Sequence, residues 1–297
     1  YSIPLSGVIA VCIALYDKFI LNLNPDQNPR IMHIQGGDIS MSLGIFSLII
    51  ALYAHHKKDV KLTTLSVIGG LCGIVGSLLS TARGGWVALP VLLVVILYIY
   101  RQSLSKRFFL TFFGIIVIAS IGISQMPNNR IMERIDVAQK DIQLYLDNHD
   151  GNTSLGARFE MWKSALEMAK EKPLFGWGIQ GATEKRKQET KEKIATGNIG
   201  QFTHAHNQYL DDLSKRGIVG LLALLAVLFI PLRAFMKKLN NTNDEIKLIA
   251  TLGVAHILSV MIYGLSQGFL VHNSGTIFYF FLTIVFYAAI RTHQKAE

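Results

Sequence analysis

Long apolar blocks alternate with short polar connections over most of the chain. The blocks are 2–16, 39–54, 62–80, 86–100, 108–124, 217–236, 248–265 and 275–290. A helix needs roughly 20 mostly apolar residues to cross a bilayer, so these predict eight spanning helices, with 2–16 and 86–100 near the lower limit. Residues 125–216 read differently. Ile131, Ile135, Ile142 and Leu146 recur at helical spacing and predict an amphipathic helix over 130–147 that can lie flat at an interface. After a turn at Asp147–Asn152, Leu155, Phe159, Trp162, Leu166 and Ala169 predict a second helix over 155–171. Pro173 stops it and Phe175–Gly178 forms a bend. The charged stretch Glu184–Lys193 predicts a solvated helix, and 204–216 is expected to run straight into the span that begins at Gly217.

Composition sharpens this picture. The chain is 51% hydrophobic and 16% charged, with a mean hydropathy of +0.36. Soluble domains carry about a quarter charged residues, so the composition argues against a soluble enzyme. Two cysteines, Cys12 and Cys72, both within apolar runs, exclude a disulfide framework and a cysteine-rich zinc site. The net charge of +9 does not point to nucleic acid, because it sits in the connections between spans. Residues 125–216 hold 27 of the 49 charges yet are nearly neutral.

The connections 55–61, 101–107 and 233–247 and the tail from Arg291 carry twelve Lys and Arg, against three in the alternate set. Cytoplasmic loops hold the excess, so the C-terminus is expected in the cytoplasm and 125–216 on the outer, periplasmic side. The expected organisation is transmembrane helices 1–5 over 1–124, a periplasmic catalytic segment over 125–216, and helices 6–8 with a cytoplasmic tail over 217–297. Tyr1 is not a start methionine, and no signal peptide precedes the first block, so N-terminal spans are expected to be missing.

Several polar residues could carry chemistry. Arg83 lies in Ser80-Thr81-Ala82-Arg83-Gly84-Gly85-Trp86, at the outer end of one span and the start of the next. It either snorkels to head groups or meets an anion, and the adjacent glycines would let a ligand approach. Arg158 and Trp162 share a helix face, where Arg158 suits a phosphate or a surface ion pair with Glu160. His206 is followed by Asn207, nine residues, Gly217, two residues and Gly220. On a helix, Gly217 would fall on the face of His206, and both glycines would allow close packing at the membrane entry. A neutral His there could take a proton from a sugar hydroxyl, or could be structural. His204 and His206 would diverge by roughly 200° on a helix, which argues against a metal site with Asp211 and Asp212. His272-Asn273 could line the same cavity, and His256 reads as bundle packing. No hydrolase elbow, phosphate loop or dinucleotide fingerprint occurs.

The spacing His206-Asn207-x9-Gly217-x2-Gly220 resembles the signature of bacterial O-antigen ligases, in a superfamily with O-antigen polymerases and O-linking oligosaccharyltransferases. The Ser80–Trp86 stretch, Arg158-x3-Trp162 and Pro173-Leu174-Phe175-Gly176-Trp177-Gly178 are similar too. The resemblance implies an all-α polytopic membrane protein. The complete molecule would have about twelve spans of roughly 20 residues each, so this chain would be N-terminally truncated. It also implies His206 as the catalytic histidine and Arg83 and Arg158 as the arginines that meet a donor diphosphate. Asn207 and Trp162 are expected at the substrate, with Gly217 and Gly220 as structural residues. An acidic residue near the last outer loop, important in some relatives, has no match, because 264–274 contains no acid.

The function so implied is inverting, metal-independent and cofactor-free transfer of a glycan in lipopolysaccharide biosynthesis. The donor would be an undecaprenyl-diphosphate-linked glycan and the acceptor the lipid A core oligosaccharide, within the lipids of the bacterial inner membrane. The site would face the periplasm. The same chemistry with a growing O-antigen or a protein hydroxyl as acceptor stays open, as does a lipid-linked glycan transporter, although no internal repeat supports transport.

Overall fold

The computed structural model describes residues 1–22, 33–80, 83–101 and 130–295. Among these, α1 is Ser2–Leu15, continued by a π-helical turn Tyr16–Ile20, α2 is His33–His56, α3 is Val60–Leu79 and α4 is Arg83–Tyr100. Then come α5 (Arg130–Asn148), α6 (Ser154–Glu171) and α7 (Gly178–Lys191), followed by α8 (Gln208–Met236), α9 (Asp244–Tyr263) and α10 (Asn273–Lys295). The protein is an all-helical polytopic membrane protein. Ser2–Ile20, α2, α3, α8, α9 and α10 are each long and apolar enough to cross a bilayer, and Gly84–Tyr100 forms a shorter apolar helix. The span expected over 108–124 lies outside the described residues.

Two compact units are present: Tyr1–Ile99 with Leu222–Glu297, and Tyr100–Leu221. In the first, small residues let helices approach closely, as packing between spanning helices requires. A Cβ on Gly73 would stand 2.6 Å from the Cα of Gly44, and the Ser40 hydroxyl donates to the Gly73 carbonyl at 2.8 Å. His256, fully buried on α9, meets the Tyr279 carbonyl through Nε2 at 3.0 Å and packs among Phe46, Phe278 and Phe286. It is a packing residue. Lys57, in the connection after α2, pairs with Asp244 at 2.7 Å and fastens that connection to the start of α9.

α2 begins well before the expected start at 39. Its extra first turns carry Gln35 and Asp38, both fully buried. A carboxylate withdrawn from water needs donors, and Gln267 supplies one, its Nε2 lying 2.6 Å from Asp38 Oδ2.

In the second unit, α5 lies against α6. Tyr145 donates to Glu160 Oε1 at 2.7 Å, and the Thr196 amide donates to Oε2 at 3.1 Å, so the buried Glu160 is bonded on both oxygens. Thr153 caps α6 by accepting from the Gly156 amide at 3.0 Å. Met161, Ala165, Ile199 and Ala205 form the buried core, with Trp162, Phe202 and Leu210 packed on it.

Candidate functional site

His206 sits in a bend between the turn Ile199–Gln201 and α8, with φ +48°. This corrects the expectation of a continuous helix from 204. The helix begins only at Gln208, because the Asn207 side-chain oxygen accepts from the Tyr209 and Leu210 amides at 3.0 and 3.1 Å and caps it. The His204 and His206 rings therefore do not diverge around a helix. Their centroids are 4.3 Å apart, and Phe202 meets His206 edge-on at 5.4 Å. No group of three or more His, Cys, Asp or Glu among the described residues is arranged to hold a metal ion.

A positive φ on a non-glycine residue costs of order 1–3 kcal/mol and persists only where its surroundings impose it. Three helices and a cap do so here. From α6, the Trp162 indole donates to the Ala205 carbonyl at 3.0 Å. From α8, Asp211 Oδ1 accepts the Ala205 amide at 2.9 Å. From α7, Arg186 donates to the carbonyls of Phe202 and Thr203 at 3.3 and 3.0 Å. Asn207 adds the cap. The residue before His206 is thus bonded at both its amide and its carbonyl.

Arg186 corrects the solvated reading of 184–193. It is fully buried and Glu189 nearly so. Burial pulls the guanidinium below its ordinary range, and Asp211 and Glu189 oppose the shift. The sequence offered only a run of charges, with no apolar rhythm to mark the inward residue. Asp211 is fully buried as well and pairs through Oδ2 with the buried Lys215 at 2.6 Å. Buried Asp212 takes Gln208 Nε2 at 2.6 Å and pairs with Arg216.

Arg158 stands one turn before Trp162 on α6, on the face that reaches the His206 bend, and is half-buried. Glu160, the acid two residues on, accepts from Tyr145 and from the Thr196 amide. Trp162 commits its indole N–H, and Asn207 its side-chain oxygen, to building the bend.

Gly217 has φ +64° and ψ −163°, a break inside α8. Any side chain there would run into the backbone of Leu174. The Ile218 and Val219 amides leave the helical pattern and bond the carbonyls of Pro173 and Leu174 at 2.8 and 3.3 Å, while the Ser214 carbonyl receives the Trp177 amide at 3.0 Å. Gly220 faces the Arg216 side chain. Among the described residues, Gly217 thus accommodates the Pro173–Phe175 loop, and Gly220 the side chain one turn earlier on its own helix.

Arg83 opens α4 in the other unit. The glycines after it meet polar groups: a Cβ on Gly84 would stand 2.8 Å from Ser266 Oγ and 3.3 Å from Asp38 Oδ1, and one on Gly85 3.3 Å from the same oxygen. Asp38 thus joins the first turn of α4 to the connection after α9, the loop in which the sequence shows no acid. It went unnoticed because it adjoins an apolar block. His272, in the same connection, is held below its ordinary range by burial.

A model of the O-antigen ligase family matches residues 68–225, a stretch that contains Arg83, Arg158, His206, Gly217 and Gly220. The chain is 42% identical, over 96% of its length and 71% of the relative's, to an uncharacterized protein of Haemophilus influenzae. It is 26% identical to the O-antigen ligase of Escherichia coli over 64% of this chain and 44% of that protein. It is also 27% identical to the exopolysaccharide production protein ExoQ of Rhizobium meliloti, over 40% of this chain and 28% of that one.

Proposed function

The chain belongs to the O-antigen ligase family of membrane enzymes, and from that membership we propose that it transfers a glycan from an undecaprenyl-diphosphate carrier to a hydroxyl of the lipid A core oligosaccharide. The reaction takes place at the periplasmic face of the inner membrane. The acceptor oxygen attacks C1 of the donor's first sugar from the face opposite the diphosphate. The C1–oxygen bond to phosphate breaks, the diphosphate leaves with the electron pair, and the anomeric centre inverts. His206 takes the acceptor proton, a contribution of about 10²–10⁴ in rate. Arg83 and Arg158 neutralise the charge that develops on the leaving diphosphate, so that no divalent cation is required.

The observation that carries this reading is the His206 bend. A half-buried imidazole in a costly backbone conformation, fixed by bonds from three helices, is the kind of preorganisation that proton transfer rewards. The likeness to an exopolysaccharide production protein supports a second reading, in which the acceptor is a growing glycan.

Purified protein with radiolabelled lipid-linked glycan in detergent tests the proposal. Label is expected to move covalently to added lipid A core. Transfer only to a short glycan–lipid would establish the second reading, and no covalent transfer to any acceptor would refute both.

A further inference from the structure

The Pro173–Ile179 turn carries large apolar side chains in the open: Leu174 is 60% exposed, Phe175 73% and Ile179 61%. Contiguous exposed apolar side chains with basic neighbours mark an interaction surface. The turn's position along α8 identifies the partner. The carbonyls of Pro173 and Leu174 accept the amides of Ile218 and Val219, the first residues of the apolar run of α8. Immediately before that run stand Asp211, Asp212, Lys215 and Arg216. The boundary between water and hydrocarbon therefore crosses α8 within a residue or two of Gly217, and a turn bonded at that point stands at the same height. Ile218 and Val219 are themselves 39% and 49% exposed, so the turn continues a lipid-facing surface.

We propose that the Pro173–Ile179 turn is a membrane-interface wedge, with Leu174 and Phe175 inserted at the boundary between the lipid head groups and the acyl chains. The flanking chemistry suits anionic head groups. Lys172 lies 3.8 Å from the Trp177 ring centroid, giving the amphipathic indole a cationic neighbour, and Lys185, which pairs with Glu171 at 3.0 Å, lies 5.1 Å from it. Gly176, at φ +68°, presses against the backbone of Lys215 and Arg216 and leaves room only for hydrogen there, which keeps the wedge seated on α8.

The test uses the full chain with Cys12 and Cys72 replaced by Ser, reconstituted in vesicles of phosphatidylethanolamine and phosphatidylglycerol. Nitroxide labels are placed at Leu174→Cys, at Phe175→Cys and, as a reference, at Gln188→Cys on the exposed side of α7. Collisions with oxygen, which concentrates in lipid, are compared with collisions with a water-soluble nickel chelate. Oxygen is expected to exceed the chelate several-fold at 174 and 175, with the order reversed at 188. Chelate-dominated collisions at 174 and 175 would place the turn in water. Low collision with both would mean that protein covers it. Either result overturns the proposal, and neither depends on transfer activity.

Discussion

The indole N–H of Trp162 donates to the carbonyl of Ala205, the residue immediately before His206, at 3.0 Å. One turn earlier on the same helix stands Arg158. A single helix therefore both helps to set the histidine bend and, in the proposed reaction, carries the arginine that meets the leaving group. Trp162→Phe keeps the ring and removes the bond. It is expected to cost about 1 kcal/mol of stability and, by loosening the bend, to lower turnover at saturating donor roughly 10- to 100-fold. Thermal unfolding and steady-state kinetics on purified protein measure the two effects; unchanged turnover would remove the bend from the mechanism.

Arg186 provides a second handle on the same bend. Its planar fork meets two successive carbonyls, a geometry that an ammonium group does not reproduce. Arg186→Lys is expected to expose 199–207 to amide hydrogen exchange, with about 2–3 kcal/mol less protection, while the spanning helices exchange as before. Equal protection in variant and parent would contradict the clamp.

Gly217 and Gly181 make a contrasting pair. Gly217→Ala forces a side chain onto a φ of +64° and into the Leu174 backbone, with an expected loss of more than about 2 kcal/mol. In α7 a Cβ on Gly181 meets only the Trp177 side chain, at an ordinary 3.7 Å, so Gly181→Ala is expected to be neutral or to stabilise by up to about 1 kcal/mol. Melting temperatures in one detergent decide both.

Tyr145 gives a pH signature. Burial, then its bond to Glu160, raises its hydroxyl from 10.0 to about 12. A group whose folded pKa is raised contributes stability in full below its unfolded value and loses it as pH climbs through the folded one. Wild type is expected to exceed Tyr145→Phe by roughly 1 kcal/mol up to pH ~10, with the gap closing toward pH ~12. Denaturant titrations at stepped pH measure it, and a gap that does not change with pH would contradict the assignment.

Much of this was legible in the sequence. Six of the eight apolar blocks appear among the described residues as helices long enough to cross a bilayer and a seventh as a shorter apolar helix, Pro173 follows the end of α6 as expected, and the histidine–glycine spacing falls within the stretch that the family model matches. What escaped is non-local. The break at Gly217 and the bend at His206 are imposed by bonds from Pro173, Leu174, Trp162 and Arg186, residues far away in the chain, and no local periodicity encodes them. Arg186 hid in a charge run because backbone carbonyls, not an acidic neighbour at helical spacing, satisfy it. Asp38 hid because a buried carboxylate beside an apolar block looks like that block's polar edge.

The most direct test of the central claim is to compare donor retention with single-turnover transfer in His206→Ala, using purified protein and radiolabelled lipid-diphosphate glycan. The variant is expected to retain donor as the parent does, while transfer falls about 10²–10⁴-fold. Transfer at the parental rate would contradict the claim.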